Sequence, residues 1–480
     1  MKDLVYDRLN KPSLGAPFVG EGVSRAALIR FLEKAKARNV DIHAFQVWRD
    51  NELKVRMSLP PYDCTDKRQY YSLSKSFTAT AIGLACDEGL LTTDTRLVDL
   101  FPDKLPEKVS DNLSKCRVRH VLSMNSGVAA QTRNDCINGE DVAKAFLAAD
   151  FVYEPGTHFL YDTGATTMLA AIVKKVTGMS ALDYLDQKIF RYMDIRDVYW
   201  DRTADGTIQG GTGFHASCDD AAKLGLLYLN RGMWNGRRLL SEAWVEEAST
   251  THSDNRPSDW PDWESGYCYQ FWTCSRGGYR GDGAFGQYSF ILPDKGVVAS
   301  ALCEAKVLQN AVDVIHEMAL ELFDDPQSEG DIEKACLDFY AVPKTAAPEI
   351  ALPRFFKADE NKLGITYIKL FSEDGKLVLG VSDGLSLTAV SCGNGQWIRN
   401  RCSIEYLFSP GVRAQTSERT AGLAASYENE GDLIRVELRS LCSPHHLTLT
   451  LAFGKADLTL TLAGLTADRY PQDSLHAVEV

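Results

Sequence analysis

The chain changes character near residue 340, and this change limits its fold more than any single motif does. Before that point, segments with helical spacing of apolar residues alternate with short apolar runs typical of buried strands. Beyond it, alternating or β-branched runs are separated by Gly, Asn, Asp and Ser turns, at roughly the 8–12-residue spacing of small all-β domains. This pattern predicts a mixed helix-and-strand domain followed by an all-β domain.

Prolines mark the boundary between the two regions, because proline stiffens the backbone and withholds a hydrogen-bond donor. Pro343, Pro348 and Pro353 fall within a short span. We therefore predict a first domain over residues 1–335, a Pro-rich linker over 336–354, and a C-terminal antiparallel β sandwich or barrel over 355–480. Its predicted strands include ITYIKLF, KLVLGVS, LSLTAVS, DLIRVELRSL, HLTLTLAF and DLTLTLAG.

Helices of the first domain have recognisable ends. SFTATAIGLACDEG and ATTMLAAIVKKVTG stop at Gly89 and Gly178, natural residues for the position after a helix. DDAAKLGLLYLNRG opens with Asp219 and Asp220, whose carboxylates can cap the first backbone N–H groups. QYSFILP and GVVASALC indicate short buried strands, followed by a helix over about residues 311–323.

Charge and cysteine usage narrow the class of protein. A net charge of −13 removes the electrostatic basis for binding nucleic acid or an anionic membrane. No apolar run approaches the roughly 18 residues of a transmembrane helix, and the N-terminus lacks the apolar core of a signal peptide. The 12 cysteines include no C-x-x-C pair, which favours buried thiols over a zinc site. We expect a cytoplasmic protein that acts on a small molecule without metal or cofactor; its oligomeric state is not indicated.

One segment has the spacing of a serine nucleophile and its base. Ser72 and Lys75 form an S-x-x-K, which on a helix places the lysine amine beside the serine hydroxyl. A serine needs a base to remove its proton, and burial lowers the pKa of a lysine toward that role. Ser72 also falls at the start of the predicted helix, where backbone N–H groups favour developing negative charge. The tetrapeptide alone is weak evidence, because on its own it favours a helix-capping serine over a nucleophile.

Two other motif matches are rejected on their context. Residues 281–286 match G-x-G-x-x-G, but a strand follows where a dinucleotide site requires a helix. Residues 380–384 match G-x-S-x-G, but a nucleophile elbow leads from strand to helix, and here a strand follows. A turn between two strands explains the second match.

Several separated blocks, in order, give the S-x-x-K its context. They are YYSLSKSFTATAIGLACDEGLL, RHVLSMNSGV, YEPGTHFLYDTGATTMLAAIVKKVTG, GGTGFHASCDDAAKLGLLYLNRGMWNG and GYRGDGAFGQYSFILP. Together, over Phe45 to Phe323, they resemble the class C β-lactamase-related and penicillin-binding-protein-like family of serine hydrolases, which includes β-lactamases, DD-peptidases, D-aminopeptidases and esterases. The resemblance implies an α/β (α+β) domain with a mixed sheet and an all-helical subdomain, with the active site between them.

The same resemblance assigns roles to residues. Ser72 matches the nucleophile and Lys75 its base. Tyr161, in Tyr161-Asp162-Thr163, matches the tyrosine that relays a proton to the leaving group.

The third family box is matched by Asp282-Gly283-Ala284, followed by Phe285. The backbone N–H groups of Ser72 and Phe285 would then form the oxyanion hole. A shift of one residue in this match would reassign the second donor.

Two positions depart from the family pattern. Thr163 replaces the asparagine of the second box, and Asp282 replaces the lysine or histidine of the third. An aspartate there would repel a substrate carboxylate, which predicts poor turnover of penicillins and D-Ala-D-Ala termini and favours a neutral or ammonium-bearing ester or amide. Alternatively, Asp282 points into a local hydrogen-bonded turn and never meets substrate.

Other candidate side chains have simpler explanations. His120, His158 and His215 lack metal-ligand spacing and are interpreted as packing or hydrogen-bonding residues. An aromatic cluster is expected in the core more often than in an acyl pocket; its members are Trp260, Trp263, Tyr267, Tyr269, Phe271 and Trp272.

Three functions stay open at this stage. The first is an esterase or amidase that works through a Ser72 acyl-enzyme, with Lys75 and Tyr161 as base and acid. The second is a β-lactamase or DD-peptidase. The third is a catalytically weak protein that binds or senses an acyl ligand, which the altered second and third boxes motivate.

Overall fold

The computed structural model describes residue 4 and residues 17–346, 351–402, 421–464 and 473–480. These residues fall into two compact units. The first consists of residues up to Ser58 together with Gln69–Ile332, and the second of Leu59–Arg68 together with Glu333–Val480. The middle of the predicted linker and part of the predicted β domain lie outside the described residues.

The first unit is built on a seven-stranded sheet with the order β1-β3-β2-β12-β11-β10-β9. Every neighbouring pair of strands in this sheet is antiparallel. The sequence predicts a mixed sheet and does not specify the direction of each pair. Strands β4, β6 and β5 form a small second sheet, and β7 pairs with β8. The strands are β1 (Phe18–Val19), β2 (Val40–Arg49), β3 (Glu52–Ser58), β4 (Arg68–Gln69), β5 (Tyr199–Trp200), β6 (Phe214–Ala216), β7 (Met233–Trp234), β8 (Arg237–Arg238), β9 (Trp272–Thr273), β10 (Tyr279–Gly283), β11 (Gln287–Leu292) and β12 (Val297–Ala305).

The first unit also contains helices and short helical turns. They are α1 (Arg25–Ala37), α2 (Ser74–Asp87), α3 (Leu97–Leu100), α4 (Asp111–Lys115), α5 (Val118–Leu122), α6 (Arg133–Asn138), α7 (Val142–Leu147), α8 (Thr163–Thr177), α9 (Ala181–Leu185), α10 (Arg191–Met193), α11 (Cys218–Leu229), α12 (Glu242–Ser249) and α13 (Leu308–Glu321). Short 3-10 turns occur at Tyr71–Leu73, Pro102–Lys104, Pro261–Trp263 and Pro293–Lys295, and a π turn at Asp186–Phe190.

Helices cover both faces of the large sheet. On one face α11 lies so close that a Cβ on Gly225 would overlap Val298 of β12. On the other face α1 packs through Phe31, whose ring centroid is 4.8 Å from that of Phe45 in β2. Helix α13 packs there too, with His316 against Phe290 of β11. The predicted fold class is confirmed: the first unit has a sheet covered by helices and a helical part, and the second unit is an all-β domain.

Helix ends follow the sequence signals in part. Gly178 has the left-handed φ of 73° expected after α8. The N-cap of α11 is Ser217, whose hydroxyl accepts from the Asp220 N–H, while the Asp220 carboxylate accepts from the Ser217 N–H. The predicted capping role is therefore confirmed for Asp220 and wrong for Asp219. Asp219 instead forms a buried ion pair with Arg56, because β3 brings an arginine to it.

The second unit is a nearly closed antiparallel barrel of ten strands, which decides between the predicted sandwich and barrel. Its order is β16-β15-β14-β13-β22-β21-β20-β19-β18-β17. The strands are β13 (Arg354–Ala358), β14 (Tyr367–Glu373), β15 (Lys376–Ser382), β16 (Leu387–Cys392), β17 (Ile398–Cys402), β18 (Ala421–Glu430), β19 (Leu433–Ser440), β20 (His446–Phe453), β21 (Asp457–Ala463) and β22 (Ser474–Glu479). Alternate residues of each strand fill an apolar interior, as in HLTLTLAF, where Leu447, Leu449 and Leu451 are buried.

Helix α14 (Ile332–Phe339) extends into the range predicted as linker. Its Ile332 and Cys336, four residues apart on one helical face, are both buried. The first proline of the predicted linker, Pro343, lies beyond its end.

Ten residues from the N-terminal half belong to the second unit. Within Leu59–Arg68, Tyr62 packs against Ala424 and Leu441. The guanidinium of Arg68 donates to the Ser443 carbonyl oxygen at 2.5 Å and lies over the Tyr62 ring. The chain therefore returns to the first unit at Gln69, three residues before Ser72.

Helices in the described part of the chain are all too short or too polar to cross a membrane.

Candidate active site

Ser72 lies in a tight turn at the start of a buried helix. It occupies the 3-10 turn Tyr71–Leu73, which continues directly into α2. Tyr71, immediately before it, has a left-handed φ of 49°. Such a conformation in a non-glycine residue costs of order 1–3 kcal/mol and persists only where the surrounding structure enforces it. Ser72 is half-buried, whereas Lys75, one helical turn later, is buried.

The amine of Lys75 lies among three oxygen atoms. Its Nζ is 3.1 Å from Ser72 Oγ, 3.1 Å from Thr163 Oγ1 and 2.7 Å from the Gly211 carbonyl oxygen. It also lies 4.9 Å from the centre of the Tyr161 ring. The predicted S-x-x-K contact is therefore present, and a helical spacing of three residues is its cause.

The environment of Lys75 suits a base. Burial lowers its pKa to about 7; the charge of Arg133 acts in the same direction, and those of Asp162 and Asp282 oppose it. At neutral pH a substantial fraction of molecules thus carries an uncharged amine whose lone pair can take the Ser72 proton.

The pKa of Tyr161 is shifted upward, whereas that of Lys75 is shifted downward. Burial raises the pKa of Tyr161 well above the ordinary value, although a hydrogen bond with Ser72 acts against this. Its ring stacks on Trp272 at 5.3 Å between centroids. A phenol that keeps its proton near Ser72 fits a proton donor or relay, and leaves Lys75 as the better base.

The second box is held by the start of α8. Asp162 caps this helix and accepts hydrogen bonds from the N–H groups of Gly164 and Thr132 and from the Thr132 hydroxyl. This fixes its two neighbours, Tyr161 and Thr163. Thr163 is shorter than the family's asparagine, yet its hydroxyl reaches Lys75.

The third box is the end of β10 and the turn into β11. Gly283 approaches the nucleophile turn so closely that a Cβ there would overlap the Tyr70 carbonyl oxygen. Phe285, in the turn that contains Ala284, has a left-handed φ of 65°, and its ring lies 5.2 Å from that of Tyr71. The assignment of the Ser72 and Phe285 N–H groups as oxyanion donors stays a prediction.

Asp282 is not in the turn that one interpretation of the sequence proposed. It lies in β10, buried, with its carboxylate 3.0 Å from Arg280 Nε. Burial raises its pKa to about 6, against the opposing charge and hydrogen bond of Arg280. Because Arg280 compensates this charge, repulsion of a substrate carboxylate is weaker than an unpaired aspartate would give.

Most of the six clustered aromatic residues lie in the core, as expected from the sequence. Tyr267, Tyr269, Phe271 and Trp272 are buried, and Trp272 also supports Tyr161. The other two, Trp260 and Trp263, are half-buried.

The three histidines make packing and hydrogen-bond contacts. His158 stacks on Tyr153 and His215 on Tyr199, each with ring centroids 3.9 Å apart. His120 accepts from the Arg117 N–H at 3.1 Å.

Sequence reasoning missed three residues around the site. Asp162 stands directly before a helix, which is a signal for a cap. Arg280 precedes Asp282 by two residues, so both side chains leave the same face of a strand, which is a signal for a pair. The Gly211 carbonyl, far from Lys75 in sequence, gave no signal.

A serine hydroxyl within hydrogen-bond distance of a buried lysine amine, with a tyrosine ring beside them, has the geometry that nucleophilic catalysis by serine requires. Residues 37–322 match the family described as Beta-lactamase, so the chain belongs to the β-lactamase family. The 6-aminohexanoate-dimer hydrolase of Paenarthrobacter ureafaciens is 26% identical over 279 residues, which cover 52% of this chain and 69% of that enzyme.

Solved structures show the same fold. A putative β-lactamase from Bacteroides dorei DSM 17855 has a TM-score of 0.54 at 16% identity, covering 62% of this chain and 98% of that one. The octameric penicillin-binding protein homologue from Pyrococcus abyssi has a TM-score of 0.50 at 14% identity, covering 94% and 99%.

Proposed function

We propose that this chain is an esterase or amidase that hydrolyses a small substrate through an acyl-enzyme on Ser72. The observation that carries the proposal is the Lys75 amine, buried and 3.1 Å from Ser72 Oγ, with its pKa lowered to about 7. A lysine that loses its proton near neutral pH, aimed at a half-buried hydroxyl, has little structural purpose, because burying an amine destabilises the fold.

The proposed reaction has two halves. Lys75 takes the Ser72 proton as Ser72 Oγ attacks the carbonyl carbon, and backbone N–H groups beside Ser72 hold the oxyanion. Tyr161 donates a proton to the leaving group as the bond to it breaks, and it recovers a proton from Lys75. Water then attacks the Ser72 ester and gives a proton to Lys75. As the bond between the acyl carbon and Ser72 Oγ breaks, Lys75 returns this proton to Ser72 Oγ, and the acid is released.

The substrate class follows from the charges around the site. Asp282 is paired with Arg280, and the adjacent face carries the rings of Tyr161 and Trp272. This surface offers apolar contact, and the Arg280 cation is already engaged by Asp282, which favours a neutral ester or a linear amide. The name of the relative, 6-aminohexanoate-dimer hydrolase, states that the relative hydrolyses the 6-aminohexanoate dimer, and we include this dimer among the candidate substrates.

Intact-mass measurement tests the nucleophile. The protein is incubated separately with a p-nitrophenyl ester, the 6-aminohexanoate dimer, a D-amino-acid amide and a penicillin, and product release is followed in parallel. We expect turnover of the ester or the linear amide that is lost in Ser72→Ala. Ser74→Ala is the matched control, because Ser74 is two residues from Ser72, at the start of α2, but its hydroxyl accepts from the Phe214 N–H and not from Lys75.

Other outcomes select the alternatives. Ser72-dependent turnover of the penicillin alone would replace the proposal by a β-lactamase. One equivalent of adduct without continued release would indicate an acyl-binding protein. Turnover unaffected by Ser72→Ala would remove Ser72 from the mechanism.

A further inference from the structure

Three side chains of metal-ligating types meet in the interior of the first unit. Asp262 lies in the 3-10 turn Pro261–Trp263, Cys274 follows β9, and His316 lies in α13. All three are buried, and one ligand atom from each lies within 4.8 Å of the others. Their separation in the sequence hides this group from any search for closely spaced ligands.

His316 is the most informative member. It is 0% exposed, and neither ring nitrogen has a hydrogen-bond partner in the described part of the chain. Buried polar groups in native proteins are nearly always satisfied, so an exception requires a cause. In the neutral imidazole one of these nitrogens carries a lone pair, which no group in the described part of the chain uses.

Asp262 is held as an oriented carboxylate. Its Oδ2 accepts from Gln309 Nε2 at 2.8 Å, and its Oδ1 accepts from the Ser275 N–H at 2.9 Å. Metal-binding carboxylates are commonly fixed by such outer hydrogen bonds.

One cation is shared between two carboxylates in this interior. Arg280 lies 3.7 Å from Asp262 Oδ1, 3.8 Å from Cys274 Sγ and 3.0 Å from the Asp282 carboxylate. The charge of Lys75 also acts on Asp282. A divalent cation bound together with an ionised Cys274 thiol would add one net positive charge beside Asp262.

We propose that Asp262, Cys274 and His316 bind a divalent transition-metal ion, with Zn²⁺ as the best match to one sulfur, one nitrogen and one oxygen ligand. Binding forms the metal–sulfur bond as the Cys274 S–H bond breaks, and the proton passes to solvent. Arg280 joins this centre to Asp282, so the metal would fix the strand that carries the third box. Three protein ligands leave a fourth position for water.

Cobalt is the probe, because Co²⁺ takes zinc sites and absorbs when a thiolate binds it. Full-length protein is treated with a chelator, dialysed and titrated with Co²⁺ at neutral pH. We expect one equivalent to bind with a thiolate-to-cobalt charge-transfer band, about one proton to be released per ion, and Zn²⁺ to abolish the band.

Variants identify the ligands. Cys274→Ser should remove the band and His316→Gln should weaken cobalt binding by at least about tenfold, by analogy with losses at metal sites. Cys268→Ser, a buried cysteine close in sequence but outside the cluster, should keep both.

Wild-type protein alone is decisive where a variant does not fold. The absence of a thiolate–cobalt band in the wild type overturns the proposal, whatever the variants do. A band that persists in Cys274→Ser at the strength seen in Cys268→Ser overturns it as well.

Discussion

Replacing Lys75 by methionine separates the catalytic value of the buried amine from its cost to the fold. In the unfolded chain this amine has a pKa near 10.5, and in the folded protein burial lowers it to about 7. Between these pH values the unfolded chain binds more protons than the folded one, so the stability of the wild type rises with pH across this window. Methionine has similar length and no proton to lose.

The magnitude follows from the pKa change. One pKa unit corresponds to about 1.4 kcal/mol, so the shift from 10.5 to about 7 makes the wild type about 5 kcal/mol less stable below pH 7 than it would be with an unperturbed amine. Lys75→Met also loses the hydrogen bonds to Ser72, Thr163 and Gly211, at about 1 kcal/mol each. That loss does not depend on pH in this range, whereas the first effect does.

Urea unfolding at a series of pH values measures the difference. Seven of the eight tryptophans, all except Trp397, lie in the first unit, so their fluorescence follows the unfolding of that unit. We expect the stability of Lys75→Met relative to wild type to fall by about 3–4 kcal/mol between pH 7 and pH 10. Lys174→Met, which removes an exposed lysine of α8, should show no such trend.

A relative stability that stays constant within about 1 kcal/mol from pH 7 to pH 10 would refute the argument. It would mean that Lys75 keeps an ordinary pKa in the folded protein. The proposed role of its neutral amine near pH 7 would then lose its basis.

Two further substitutions test the neighbouring strand. Gly283→Ala should lower kcat/KM on a good substrate by about 10²-fold, because its Cβ would displace the turn that holds Ser72. Gly380→Ala, in the barrel, is the control. Equal kinetics for the two variants would contradict the close approach of Gly283 to that turn. Arg280→Met should destabilise the first unit by about 3–5 kcal/mol in urea, since it leaves two buried carboxylates unpaired. Arg276→Met, which breaks an exposed pair with Asp313, should cost under about 1 kcal/mol, and a similar loss in both variants would show that burial does not matter there.

The features that the sequence predicted well depend on residues close together in the chain. Ser72 and Lys75 are three residues apart, so helix geometry alone brings them together. Gly178 ends α8 because a left-handed residue is needed there. The alternation in HLTLTLAF is the direct signature of a strand with one buried face.

What it missed depends on long-range contacts. Aspartate is a common helix-capping residue, but Asp219 forms an ion pair with Arg56, which lies on a strand distant in the sequence. The Gly211 carbonyl oxygen accepts a hydrogen bond from Lys75, although the two residues are far apart in the sequence. The Asp262, Cys274 and His316 group forms only when a turn, a strand end and a helix come together.

The path of the chain through Leu59–Arg68 has a consequence for how this protein can change over evolutionary time. An appended domain joined by one linker can be lost or exchanged by a single cut in the gene. Here residues just upstream of Ser72 are part of the barrel unit, so deleting residues 333–480 would also strip Tyr62 and Arg68 of their partners. The two units are therefore expected to be inherited together, and a natural chain that ends near residue 330 should carry a different sequence between β3 and Ser72.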